Sequence, residues 1–187
     1  EKAIAVTVDS SADYCKSHPF TGGKQIVSEN WRNLISVVAK PLAITHCLNF
    51  VNPENTEVMG DFVACLIGIR EACEFLNYPV VSGNVSFYNG TNNKNIFPTP
   101  VIGGVGLIEK LNKTVNHQLK KNNSTLFLIG KTFGHLGQSV FLNEVYSLAT
   151  GRPPEINLVN EKNNGETGLK IIKSTLVNSV HDISSGG

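Results

Sequence analysis

Between Pro98 and Ile108 the chain runs Pro-Thr-Pro-Val-Ile-Gly-Gly-Val-Gly-Leu-Ile. Valine, isoleucine and leucine at this density demand a strand, yet Gly103, Gly104 and Gly106 deprive it of side chains where a strand packs. Such a segment folds only where another group approaches its backbone closely, or where it bulges.

The flanking segments supply the material. Ala3 to Val8 is a strand-like run, followed by a polar stretch to Gly22-Gly23 that reads as loop. From Lys24 to Ala39, Val27, Trp31, Leu34, Ile35 and Val38 form one helical stripe, ended by Pro41. Leu42 to Phe50 has strand length, and Asn52-Pro53-Glu54-Asn55 is turn chemistry. From about Glu57 to Asn77, Phe62, Leu66, Ile69, Cys73 and Leu76 again share a helical face. Pro79 opens a second strand running to Tyr88, and Asn89 to Asn95 reads as an exposed polar loop. Residues 110–124, rich in Lys and Asn, have no periodicity and read as a linker. Beyond it, Thr125 to Gly130 reads as a buried strand, Gln138 to Leu148 as a helix, Gly151 to Asn164 as a connection and Leu169 to Val177 as a helix. The expectation is a mixed α+β fold: an α/β unit over residues 1–112, a linker over 113–124, and the beginning of a second α/β unit over 125–187.

With 16 basic against 15 acidic residues, the net charge of +1 offers no field for a nucleic-acid backbone or an anionic membrane. No apolar run reaches the roughly 20 residues of a membrane span. Cys15, Cys47, Cys65 and Cys73 include no Cys-x-x-Cys pair and read as reduced thiols in a cytoplasmic protein. The opening at Glu1 directly into a strand and the ending at Gly186-Gly187 suggest a piece of a longer chain.

Three places could carry chemistry. Ser82-Gly83-Asn84-Val85-Ser86 ends an apolar strand. There Gly83 opens the backbone to a ligand, and Asn84 and Ser86 point to one side, as alternate strand residues do. A neutral oxygen such as that of Asn84, beside substrate phosphates, suits Mg2+; a simple capped strand end is the alternative. His46 follows an apolar run, where a hydrogen-bonded core histidine is the default, and Cys47 would face the opposite side. His181-Asp182-Ile183-Ser184 reads as a strand end leading to paired glycines, a place for an anion-binding turn, where Asp182 either orients a ligand or caps the element.

Taken together and in order, these blocks are familiar. Lys40 to Phe50 with Asn52-Pro53-Glu54, the run Pro79 to Asn89, Pro98 to Gly103 and the ending Ser179-Val180-His181-Asp182-Ile183-Ser184 resemble the phosphoribosylformylglycinamidine synthase family. So do Thr7-Val8-Asp9, Tyr14 and Gly22-Gly23-Lys24. That family fuses two similar halves, each an N-terminal-type domain of the purine synthetase superfamily followed by a C-terminal-type domain. This chain resembles the second half's first domain plus the start of its next.

The resemblance implies an ATP-dependent ligase. ATP phosphorylates the amide oxygen of formylglycinamide ribonucleotide, and ammonia from a glutaminase subunit or domain displaces the phosphate. It also implies a nucleotide contact at Gly83, Mg2+ at Asn84, a substrate contact at Ser86 and another nucleotide position at His46. The catalytic histidine would belong to the first half. The family more often carries Asp or Asn at His46, Gly at Val51 and Asp at Ser185, so a permanent carboxylate is missing at His46. The contrasting expectation is a structural, non-catalytic nucleotide-binding or assembly half-module that pairs with the first half through its sheet, the isolated piece self-associating through the surface meant for that half.

Overall fold

The computed structural model describes residues 1–92 and 94–184. The glycine-rich segment is indeed a strand, and the fold is built on it. In chain order the elements are β1 (Ala3–Ser10), α1 (Ala12–Ser17), α2 (Pro19–Ser36), β2 (Lys40–Asn49), α3 (Thr56–Leu76), β3 (Val80–Ser86), β4 (Gly90–Thr91), β5 (Lys94–Asn95) and β6 (Thr99–Ile108). A 3-10 turn at Leu111–Lys113, α4 (Val140–Tyr146) and α5 (Leu158–Lys173) follow. The main sheet has the order β1-β6-β2-β3: β6 lies antiparallel to both β1 and β2, and β3 is added parallel to β2. The strands β1, β2 and β3 therefore all point the same way, and their carboxyl ends share one edge.

Along β6 the residues alternate, with Pro100, Ile102, Gly104, Gly106 and Ile108 buried towards the helices. A Cβ on Gly104 would stand 1.9 Å from Asn30 Oδ1 and 2.1 Å from Tyr78 Oη, and one on Gly106 would meet Ala39 Cβ at 3.0 Å. The glycines admit α2 and the start of β3 against the sheet.

α2 and α3 pack on each other, and α2 also packs on β1 and β6. Their ends follow from short polar residues. Asn55 caps α3 by accepting from Glu57 N at 2.9 Å, and Asn77 closes it in the left-handed conformation, φ 51°. Ile26, Val27, Leu34, Ile44, Leu48, Phe50, Ile69 and Ile102 form the centre of the core.

The structure corrects several of these expectations. The stretch up to Gly22-Gly23 is helical, not loop: Pro19 takes the first helical position, and His18 Nδ1 accepts from Thr21 N at 3.3 Å. Its glycines serve packing, because a Cβ on Gly22 would lie 2.6 Å from Cys15 N, and one on Gly23 would lie 2.4 Å from Cys65 O. The loop Asn89 to Asn95 contains the small β4-β5 pair. The segment Thr125 to Gly130 forms no strand. Leu126 and Phe127 are 76% and 85% exposed, because an apolar run becomes a strand only by pairing, and no described strand pairs with it.

The connection Gly151 to Asn164 gives way to helix at Leu158, and the helix placed over Leu169 to Val177 ends at Lys173. Packing overrides the weak helix propensity of Asn163, Asn164 and Gly165: α5 lies on α2, and a Cβ on Gly165 would strike the Trp31 ring at 2.2 Å. His181 and Asp182 lie in irregular chain, and Ser185, Gly186 and Gly187 fall outside the described residues.

Two glycine substitutions separate packing from propensity. Gly104→Ala must displace Asn30 or Tyr78 and is expected to cost about 1–3 kcal/mol in denaturant unfolding. Gly60→Ala in α3 meets nothing within 4 Å and is expected to be stabilising by roughly 0.5–1 kcal/mol in the same measurement.

Candidate functional site

The shared carboxyl edge of β1, β2 and β3 gathers most of the polar residues that sequence reasoning singled out, but the sheet sorts them onto two faces. His46 pairs with Gly83 across β2 and β3, and both lie on the helical face, in line with buried Ile44 and Leu48. The imidazole fills the space over the glycine: a Cβ on Gly83 would stand 2.3 Å from His46 Nδ1. Nδ1 is buried and has no hydrogen-bond partner among the described residues. Beside it opens a cavity of about 520 Å3, bordered by Leu66, Ile69, Arg70, Cys73 and Tyr78. Cys73 is itself buried, and burial followed by the Glu74 charge pushes its thiol up to about 12, so it stays neutral.

Asn84 and Ser86 stand on the opposite, uncovered face, opposite Cys47 and Asn49. Ser82 Oγ donates to Thr45 Oγ1 at 2.7 Å on that same face, and Ser86 Oγ lies 3.2 Å from Asn89 Nδ2, which donates to it. Asn84 and Ser86 thus point together, whereas Gly83 and His46 are separated from them by the thickness of the sheet. Cys47, next to His46, faces away from it.

A third group, at the end of β1, was not recognised as a site from sequence. Asp9 lies on the helical face and is held from three sides. Its Oδ2 accepts from Asn30 Nδ2 at 2.7 Å and from Thr7 Oγ1 at 3.1 Å, and its Oδ1 accepts from Asn33 Nδ2 at 2.8 Å. Glu29, one residue before Asn30 on α2, is half-buried. Burial raises its carboxyl pKa above the ordinary 4.5, Asp9 and Asp182 raise it further, and the Arg32 guanidinium opposes them. The Asp182 side chain is only 8% exposed; its Oδ1 meets His181 Nδ1 at 3.2 Å, and its Oδ2 has no partner among the described residues.

Asp182 therefore lies within electrostatic reach of Glu29, on the helical side of the sheet. The signal available in sequence was Asp9 at a strand end. The parts played by Glu29 and Asn33 could not be seen, because both look like solvent-side positions of an amphipathic helix.

Hard oxygen donors, an orphaned carboxylate oxygen and a half-buried carboxyl whose pKa is raised by burial and by neighbouring charges together suit a divalent cation such as Mg2+. Among the described residues no three His, Cys, Asp or Glu side chains converge tightly enough to hold a metal by themselves. Mg2+ asks for less, since it keeps several waters and takes one or two carboxylates beside phosphate oxygens.

Residues 1–108 match the family described as AIR synthase related protein, N-terminal domain. The chain belongs to this family. Over its whole length it is 59% identical to the phosphoribosylformylglycinamidine synthase subunit PurL of Pelagibacter ubique and 50% identical to that of Bradyrhizobium diazoefficiens. It spans about a quarter of the length of these curated relatives, 26% and 25%. Among solved structures it is similar to Thermotoga maritima PurL complexed with ATP, with a TM-score of 0.58 and 34% identity, covering 63% of this chain and 20% of that one. The same protein complexed with FGAR matches with a TM-score of 0.57, at 34% identity, over 62% of this chain and 19% of that one. The part of the chain that matches the AIR synthase related family contains the sheet, the His46-Gly83 pair and Asp9, and Asp182 lies beyond it.

The raised carboxyl of Glu29 has a pH consequence. A folded-state pKa above the unfolded one gives stability that is full below pH 4.5 and is lost as pH rises. Glu29→Gln is therefore expected to gain on the wild type as pH rises from 4 to 7 in metal-free unfolding experiments. Millimolar Mg2+ should narrow that gain.

Proposed function

We propose that this chain is a part of an ATP-dependent phosphoribosylformylglycinamidine synthase, a cytoplasmic ligase of purine biosynthesis. The observation that carries the reading is the 59% identity to a PurL subunit along the whole chain. The PurL structures with ATP and with FGAR add the nucleotide and formylglycinamide ribonucleotide as the ligands to expect. The complete protein would use ATP to phosphorylate the amide oxygen, and ammonia supplied by a glutaminase subunit or domain would displace the phosphate. The catalytic histidine would come from the other half of that protein.

Within this chain, Asp9 and Asp182, with Glu29 beside them, fit Mg2+. The ion would neutralise phosphate charge as the phosphoryl group moves. Asn84 was the metal ligand expected from sequence. Its neighbours across the ladder, Thr45, Cys47 and Asn49, are all neutral, which suits hydrogen bonding to a substrate or phosphate oxygen better than holding the cation. Ser86, on the same face, would share that substrate contact. Gly83 and His46 remain the nucleotide candidates on the helical face. Because the imidazole already occupies the space above the glycine, His46 must swing aside or itself form the wall of that site.

A second reading is favoured by one observation. Ile4, Val6 and Val8 on the uncovered sheet face are 71%, 68% and 66% exposed, a contiguous apolar row on an edge strand. This face suits assembly against a similar sheet, in the same protein or in a second copy. The two readings are compatible, since a half-site can both bind and assemble.

The activity test is ADP release by the full-length parent with formylglycinamide ribonucleotide, Mg2+ and ammonia. Turnover in the wild type and a loss of about 100-fold or more in Asp9→Asn and Asn84→Ala, with the fold retained, is the expected result. Unchanged turnover in both variants would leave assembly as this chain's contribution. For assembly itself, sedimentation of the isolated chain should show self-association that Val6→Lys weakens, and a strictly monomeric wild type would overturn it.

A further inference from the structure

Asn30 is fully buried, and its amide makes three hydrogen bonds to three different parts of the fold. Nδ2 donates to Asp9 Oδ2 at 2.7 Å and to the Ile102 carbonyl at 3.1 Å, and Oδ1 accepts from Tyr78 Oη at 2.7 Å. The orientation of the amide is not optional. Turned over, it would aim its oxygen at a carboxylate and a carbonyl, and its NH2 at the hydroxyl. Burial, followed by the charge of Asp9, raises the Tyr78 hydroxyl pKa, which keeps it protonated and a donor. Gly104 provides the space in which both groups meet.

We propose that Asn30, locked by Tyr78, is a positioning residue that aims the Asp9 carboxylate at the cation. This rests on the reading of Asp9 as a cation-binding residue. The physical argument is that an unconstrained carboxylate rotates about its own axis and offers either oxygen. Here Asn30 and Thr7 fill both acceptor sites of Oδ2 and Asn33 one of Oδ1 from fixed directions, so the one remaining lone pair, on Oδ1, points one way. Tyr78 does not touch the site and acts only through Asn30. A hydroxyl at the start of β3 thereby governs a carboxylate at the end of β1, on the far edge of the sheet.

The test uses the full-length parent and Mn2+ alone, with bound ion read from the loss of the free-ion electron paramagnetic resonance signal. Asp9→Asn identifies which Mn2+ binding belongs to this site. Asn30→Ala is expected to weaken that binding by about 10-fold or more, the usual cost of losing a residue that orients a metal ligand. Tyr78→Phe should shift it in the same direction by less. Melting temperatures recorded in parallel separate positioning from mere support.

If Asp9→Asn removes no bound Mn2+, the cation reading fails and this proposal falls with it. If Asp9→Asn removes it while Asn30→Ala and Tyr78→Phe only lower the melting temperature, the cation reading stands and the positioning role is wrong. Should Asn30→Ala fail to fold, Tyr78→Phe decides, because it deletes one oxygen and leaves the ring in place.

Discussion

The hydrogen-bonded triad of Asp9, Asn30 and Tyr78 is the constraint on which the rest of the structure depends. It ties the first strand, the long second helix and the approach to β3 to one point beneath β6. Leaving any of its buried groups unpaired costs about 1–3 kcal/mol, a large fraction of the marginal stability of a domain. The triad exists only because Gly104 has no side chain, since a Cβ there would overlap both Asn30 and Tyr78. The composition of β6 is thus the counterpart of a polar core, and its glycines are packing residues rather than flexible ones.

That arrangement also divides the chemistry. One face of the sheet is filled by α2 and α3, which leaves the helical side with Asp9 at one edge and the His46-Gly83 pair towards the other. The opposite face carries Thr45, Ser82, Asn84 and Ser86 towards β3, and the exposed row Ile4, Val6 and Val8 along β1. A polar half and an apolar half on one uncovered sheet suit a surface that meets a ligand and a partner at the same time. The ion pair of Arg32 with Glu161 at 2.9 Å, and Gly165 seated on Trp31, fix α5 against α2. α5 thus holds the C-terminal segment, from which Asp182 comes, against the helix that carries Glu29.

Much of this was legible before any coordinates. The strand at β6, the helical stripe of α2, the extent of α3 and the strand that ends in Ser82 to Ser86 follow from periodicity and from the turn residues between them. So did the shared direction of Asn84 and Ser86, which is a property of any strand. The loop assigned through Gly22-Gly23 failed because two glycines look like a turn in sequence, whereas here they let α2 approach α1 and α3. The strand assigned at Thr125 to Gly130 failed for the opposite reason. Its apolar residues are right for a strand, but a strand is defined by a neighbour that local sequence does not contain.

What the sequence determined alone was local. It set which segments are extended or helical in most of residues 1–112, and which motifs mark the chain as a relative of a purine-synthesising ligase. Only the tertiary structure decided which side of the sheet each candidate faces. Facing depends on pairing register, and a shift of one residue would exchange His46 with Cys47 and Gly83 with Asn84. Tertiary structure alone also brought the charges of Asp9 and Asp182 within reach of Glu29. Carboxylates so far apart in the chain act on one another only when the packed fold carries them to the same region, and no local pattern of residues records that.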